Sequence, residues 1–227
     1  MLAALGWGAL AASSLVVGAI VGLARPWPPQ IVGLVLGFGA GALIAAVSFE
    51  LFEEGLDIAG ALPVGAGLGV GAMTYYLAAG RVAAMGGGAA LALGAFLDGI
   101  PEQLVLGIGL AGGQTVGVGL LAAIFVSNLP EAIGGAHDMS RQMHHRRQVM
   151  RTWVAIAVLC MLASVAGYAL ADATSGELRG GINGFAAGAL IVMLVDSMIP
   201  EATAQAGRTT GLVTALGFAL AAGLSLA

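Results

Sequence analysis

Apolar residues fill this chain in long blocks rather than in the alternating or one-in-four patterns of soluble strands and helices. Each block is close to the ~20 residues that a helix needs to cross a bilayer. The pattern predicts eight transmembrane helices, at 2–24, 30–52, 59–79, 87–110, 116–139, 152–171, 180–202 and 210–227. The first has no basic segment before it, and its apolar stretch exceeds the roughly 7 to 15 residues of a signal peptide, so it is read as a span. Nothing is left over for a soluble domain. The expected fold is all-α: a polytopic membrane protein formed by a single transmembrane domain, 1–227.

Two blocks are interrupted mid-way by polar residues. Asp98-Gly99-Ile100-Pro101-Glu102 lies in the fourth span and Ser127-Asn128-Leu129-Pro130-Glu131 in the fifth. In each, an oxygen-bearing side chain precedes a glutamate by four residues, which puts both on one helix face, one turn apart. The proline between them has no N–H to donate, so the carbonyls of Leu97 and Val126 lose their helical partner and become available to another one. Carboxylates at membrane depth are costly and mark ion or proton paths. The two helices are therefore expected to wall one cation site. Its acids cannot all ionise together without a cation, so metal binding should compete with protons.

Composition strengthens the membrane reading: 59% of residues are hydrophobic and only 9% charged. The 38 glycines would weaken soluble helices, but in lipid they let helix backbones approach closely. They fit a monomer and a homodimer equally. Cys160, the single cysteine, cannot form an intrachain disulfide and falls in an apolar run as a core residue. All eight basic residues are arginines, and Arg25, Arg81, Arg141, Arg146, Arg147, Arg151 and Arg208 fall in alternate loops, leaving Arg179 on the other side with Glu53, Glu54, Asp57, Asp172 and Glu177. The positive-inside rule then predicts a multi-pass cell-membrane protein with both termini outside the cytoplasm. A net charge of −4 and one short basic loop give no reason to expect a nucleic-acid partner.

The chain also repeats itself. Gly37-Phe38-Gly39-Ala40-Gly41-Ala42-Leu43-Ile44 in the second span and Gly184-Phe185-Ala186-Ala187-Gly188-Ala189-Leu190-Ile191 in the seventh differ at one position, and both run on toward acids. With the topology above, these two spans cross in opposite directions. Inverted repeats with polar, proline-interrupted helices near the midplane are the mark of secondary transporters. Spans one to three pair with six to eight, and four and five form a central pair, a 3+2+3 inverted-repeat bundle.

At this point the chain resembles the ZIP (Zrt/Irt-like) divalent metal transporters over essentially its whole length. The likeness rests on the 3+2+3 layout and on the fourth- and fifth-span clusters, set against the family's two His-Asn-x-Pro-Glu motifs. The seventh-span segment 184–201 is similar to the family's Gly-Phe-Ala-Ala-Gly stretch, which ends in an acid and then Pro-Glu. The resemblance implies transport of a divalent cation through a binuclear site. Asp98, Glu102, Ser127 and Glu131 would be its ligands, with Asn128 and Asp196 completing a second position. Asp98 and Ser127 stand where the family has histidine, and Gly99 where it has asparagine. The implied site is thus all oxygen, which suits Mn²⁺, Mg²⁺ or Ca²⁺ better than Zn²⁺, with Fe²⁺ between. The metal is substrate, not cofactor, and Mn, Fe and Zn all remain candidates.

Two other readings stay open. One is a carrier or channel of the same fold that moves protons or a non-metal cation, consistent with the missing histidines. The other is a membrane-embedded metalloenzyme, which such sites support with histidine ligands. None of the three histidines, His137, His144 and His145, is central to a span, so no enzyme activity is expected. Glu50, Glu53 and Glu54 at the outer end and Glu201 at the inner end are read as solvated helix ends or as funnels that concentrate cations. His137, Asp138, His144 and His145, next to four arginines, are read as interfacial. Met193 and Met198 are read as packing residues.

Overall fold

The computed structural model describes residues 1–85, 87–111, 118–142, 145–174 and 176–225, the side chains of 87–91, 118, 119 and 225 excepted. These residues form eight helices: α1 Leu2–Ala24, α2 Pro29–Ala59, α3 Ala61–Met85, α4 Gly87–Ala111, α5 Val118–Gln142, α6 Arg146–Ala173, α7 Glu177–Ala206 and α8 Thr209–Ser225. Six of them, α1 to α4, α6 and α7, are long and apolar enough to cross a membrane. Helix α8 is apolar but has 17 residues. Helix α5 has 25 residues and carries Glu131, Asp138 and Arg141 along its length. The outer surface carries leucines such as Leu2, Leu62 and Leu212, at 87%, 85% and 75% exposure. Apolar exposure on this scale belongs to a lipid-facing wall, not to a water-facing one.

Glycine sets the packing. A methyl group at Gly41 of α2 would overlap the carbonyl oxygen of Thr214 in α8, and one at Gly217 of α8 would overlap that of Phe38 in α2. The α3–α7 contact repeats this arrangement, with Gly188 against the Leu68 carbonyl and Gly71 against that of Phe185. Helix α1 meets α5 with Gly22 on the Ile133 carbonyl, and α6 meets α4 with Gly167 on the Leu104 carbonyl. Lipid tails are as apolar as leucine, so helices in a bilayer associate through such close van der Waals contact rather than through the hydrophobic effect. Two sets of helices result: α2, α3, α7 and α8, and α1, α4, α5 and α6, joined chiefly where α2 lies along α5.

The ends of α2 and α7 match as well. Both continue from a GALI motif into a π-helical segment, Val47–Glu53 in α2 and Leu194–Met198 in α7, placed the same distance beyond the motif. Both helices then stop at a glycine with positive φ, Gly60 at 76° and Gly207 at 63°, where the absence of a Cβ permits the left-handed turn. Across the bundle Glu54 and Arg179 form an ion pair at 3.6 Å, so the end of α2 and the start of α7 lie on the same side. At the turn after α1, the Arg25 guanidinium sits 4.1 Å from the centre of the Trp27 ring, an amphipathic pair suited to a membrane border.

Several expected boundaries need correction. The second span was expected at 30–52 and runs to Ala59, so Glu53, Glu54 and Asp57 are helical. The third was expected at 59–79 and covers Ala61–Met85. The sixth was expected at 152–171 and starts at Arg146, which takes Arg146, Arg147 and Arg151 out of the loop. The fifth shifts from 116–139 to Val118–Gln142, and the seventh lengthens from 180–202 to Glu177–Ala206. The reason is common to all. A helix that leaves the lipid satisfies its own backbone hydrogen bonds, so charged residues end the apolar run without ending the helix.

Candidate functional site

A cavity of about 600 Å³ opens beside the central helices. Five carboxylates line it: Asp98 of α4, Glu131 and Asp138 of α5, and Asp196 and Glu201 of α7. Tyr75 of α3 and Ser197 of α7 add hydroxyls, and Leu36, Trp153, Met193 and Met198 supply apolar wall. Among the described residues, no arginine or histidine lines the cavity. The rim holds the exposed residues Ala83, Asp138, Gln142 and Glu201. These lie near the ends of α3, α5 and α7 that lead into Arg81, Arg141 and Arg208, so the mouth is at the arginine-bearing face.

Helix α4 carries its cluster in register with this cavity. Asp98 is the innermost acid, and both its oxygens are engaged: the Tyr75 hydroxyl donates to Oδ1, and the Ser197 hydroxyl donates to Oδ2 at 3.4 Å. Ser197 reaches it from the π-helical segment of α7. Gly99 faces away from the cavity, where a side chain would meet Cys160 Sγ of α6. Its lack of a side chain serves the α4–α6 contact, and Cys160 is fully buried there.

One turn further in, Glu102 is 2% exposed, and Ser127 and Asn128 are 0% and 1% exposed. Ser127 Oγ donates to Glu102 Oε1 at 3.0 Å, joining the two proline-containing helices at their centre. Among the described residues Glu102 Oε2 has no partner in hydrogen-bond geometry, and Asn128 lies close to the Glu102 carboxylate with neither amide atom reaching that geometry. Buried polar atoms left unpaired are costly, which singles them out as places where a ligand would be bound. Glu131 lies on the cavity wall within electrostatic reach of Asp98, Glu102 and Glu201.

The six residues expected at the site are therefore divided between two adjoining places. Asp98, Glu131 and Asp196 line the cavity, whereas Glu102, Ser127 and Asn128 form a buried polar cluster next to it. Among the described residues, no three His, Cys, Asp or Glu side chains are grouped closely enough to hold one metal ion together. Tyr75 and Ser197 were not anticipated, nor was Gln103, which is fully buried with neither amide atom paired. Asp138 belongs to α5 and to the cavity rim, and Glu201 stands on the same rim, where it accepts from Gln205 Nε2 at 3.0 Å. His137 is not a lining residue. His145 is exposed at the start of α6, and His144 lies outside the described residues. No family model and no curated protein matches the chain.

Proposed function

We propose that this protein is a ZIP-like membrane carrier of a divalent metal cation. It would work as a 3+2+3 inverted-repeat bundle of eight spans in the cell membrane, with both termini outside the cytoplasm. The observation that carries this reading is the cavity lined by five carboxylates and, among the described residues, no basic side chain, reaching from the arginine-bearing face to the paired Pro-Glu helices. Such a surface concentrates cations and excludes anions. The matched glycine contacts and matched π-helical segments of α2 and α7 support the repeat. The split between the open cavity and the buried cluster at Glu102 fits a carrier seen facing the cytoplasm, in which an ion passes from Glu102, Ser127 and Asn128 to Asp98 and Glu131 on its way out. Asp196 then belongs to the exit path. Alternating rocking of the repeats would expose the cluster to the other side.

The direct test is uptake of Mn²⁺ into liposomes containing the purified protein, with Zn²⁺ as competitor. All-oxygen ligands predict that Mn²⁺ is preferred. Replacing both oxygen ligands that stand in the family's histidine positions, Asp98→His with Ser127→His, should raise Zn²⁺ competition against Mn²⁺ by roughly tenfold, because imidazole suits Zn²⁺ better than carboxylate or hydroxyl does. The assay is run above the imidazole pKa so that both rings are neutral. An unchanged preference in the folded double variant would mean that these positions do not touch the ion.

A second reading has an observation of its own. No grouped set of three ligands is present among the described residues, and hydroxyls occupy both oxygens of Asp98. That arrangement also suits a carrier of protons or a non-metal cation. Uptake that acidifies the liposome interior and ignores Mn²⁺ would select it.

Orientation is tested separately. Cys160 is buried and gives little background, so single cysteines can report topology. Gln142→Cys should be shielded from an impermeant thiol reagent in intact cells, and Asp172→Cys should react. The opposite pattern would invert the topology and place the cavity mouth outside.

A further inference from the structure

Arg141, Arg146, Arg147 and Arg151 are all exposed, and among the described residues none of them forms an ion pair; the single pair found is Arg179 with Glu54. Arg146, Arg147 and Arg151 occupy the first two turns of α6, which has no acidic residue in its first turn and no side-chain cap. A helix N-terminus carries partial positive charge and favours anions, so three arginines there oppose the dipole and leave the end strongly electropositive. The apolar run begins immediately afterwards, at Trp153, which puts these guanidinium groups at headgroup depth. Arg141 ends α5, and only residues 143–145 separate the two helices, so their ends lie within about 15 Å by chain length. The same two helices border the cavity: α5 supplies Asp138 and Gln142 to its rim, and α6 supplies the buried Trp153 to its wall.

We propose that Arg146, Arg147 and Arg151, with Arg141, form a docking surface for anionic phospholipid headgroups of the cytoplasmic leaflet. Orientation alone requires a positive excess in this loop but not its concentration at the dipole-opposed start of one helix. A headgroup phosphate meets both needs: it is held bidentately by arginine, and it answers the exposed N–H groups of the uncapped end. The bound lipid also changes the mouth. Unneutralised arginines repel cations from the neighbouring carboxylates, and a layer of phosphates removes that repulsion. This last consequence rests on the cation-transport reading and the choice of leaflet on the proposed orientation, whereas headgroup docking itself rests only on the membrane setting.

The test is lipid retention. Purified protein in detergent is titrated with phosphatidylglycerol and with phosphatidylcholine and examined by native mass spectrometry. Wild type should hold phosphatidylglycerol in preference, and Arg146→Gln with Arg147→Gln and Arg151→Gln should erase the preference, at roughly fivefold in affinity per arginine. Loss of positive charge can also disturb insertion. A triple Arg→Lys variant, which keeps charge and topology, should therefore show an intermediate preference because the bidentate contact is gone. Equal retention of the two lipids by wild type, or an unaltered preference in the glutamine variant, would overturn the proposal. So would displacement of phosphatidylglycerol by inorganic phosphate, since that would mark a soluble-anion site. Mn²⁺ binding in nanodiscs should be tighter with phosphatidylglycerol than with phosphatidylcholine alone. Failure of Mn²⁺ to bind in either lipid would count against transport, and the mass spectra would still decide the lipid question.

Discussion

Glu131→Gln should lower cation uptake by at least roughly 100-fold while leaving the protein folded. The substitution keeps the side chain's size and removes its charge. Glu131 sits on the cavity wall within electrostatic reach of both Asp98 and the rim acid Glu201, so an ion moving through the cavity comes under its charge. Deleting one partner of a poorly solvated charge interaction costs about 3 kcal/mol or more, which corresponds to the fall expected in uptake. Glu102→Gln should have a comparable effect for a different reason. It removes charge from the buried cluster and alters the bond that Ser127 donates. The control is Glu177→Gln, an exposed residue at the start of α7, which should transport as wild type. Normal uptake by a folded Glu131→Gln protein would exclude this glutamate from the ion path.

The second large effect concerns stability. Gly188→Ala should destabilise the protein by about 1–3 kcal/mol, the usual cost of an added methyl group in a filled core. The methyl would meet the Leu68 carbonyl oxygen and the Ala72 backbone, and a backbone cannot turn aside as a side chain can. Gly41→Ala should lose a similar amount, because it makes the corresponding contact with Thr214 in α8. Gly65→Ala is the informative comparison. It shares a helix with the Leu68 contact, yet nothing lies within 4 Å of the added methyl, so the better helix propensity of alanine should leave stability unchanged or slightly raised. Thermal unfolding in detergent separates the cases. If Gly188→Ala and Gly65→Ala unfold together, backbone proximity is not what holds α3 to α7.

Much of the architecture was legible because lipid imposes two simple constraints: long apolar blocks and internally paired backbone. The eight helices and the GALI repeat needed no more than that. Helix ends were harder, since Glu53, Glu54, Asp57 and the arginines of α6 read as loop and continue as helix. The mid-helix acids were legible too, as charge in an apolar run stands out. Their hydroxyl partners were not. Tyr75 lies 23 positions from Asp98 and Ser197 lies 99 positions away, and no spacing rule connects residues on separate helices. Gln103 was hidden beside Glu102, although a buried amide in a lipid-length run is itself a signal. The division of the expected ligands between an open cavity and a buried cluster depends on how two helix sets lean together, which periodicity does not encode.

The π-helical segments of α2 and α7 have a geometric consequence. An α-helix advances about 100° per residue, and a π turn absorbs an additional residue, so everything beyond it is out of phase with the wheel that describes the first half. In α7 the part before Leu194 packs its glycines on α3, and the part after it presents Asp196, Ser197 and Glu201 to water. One unbroken rod thus changes allegiance half-way along, from packing surface to aqueous wall, with no gap in its backbone through which lipid or an ion could leak.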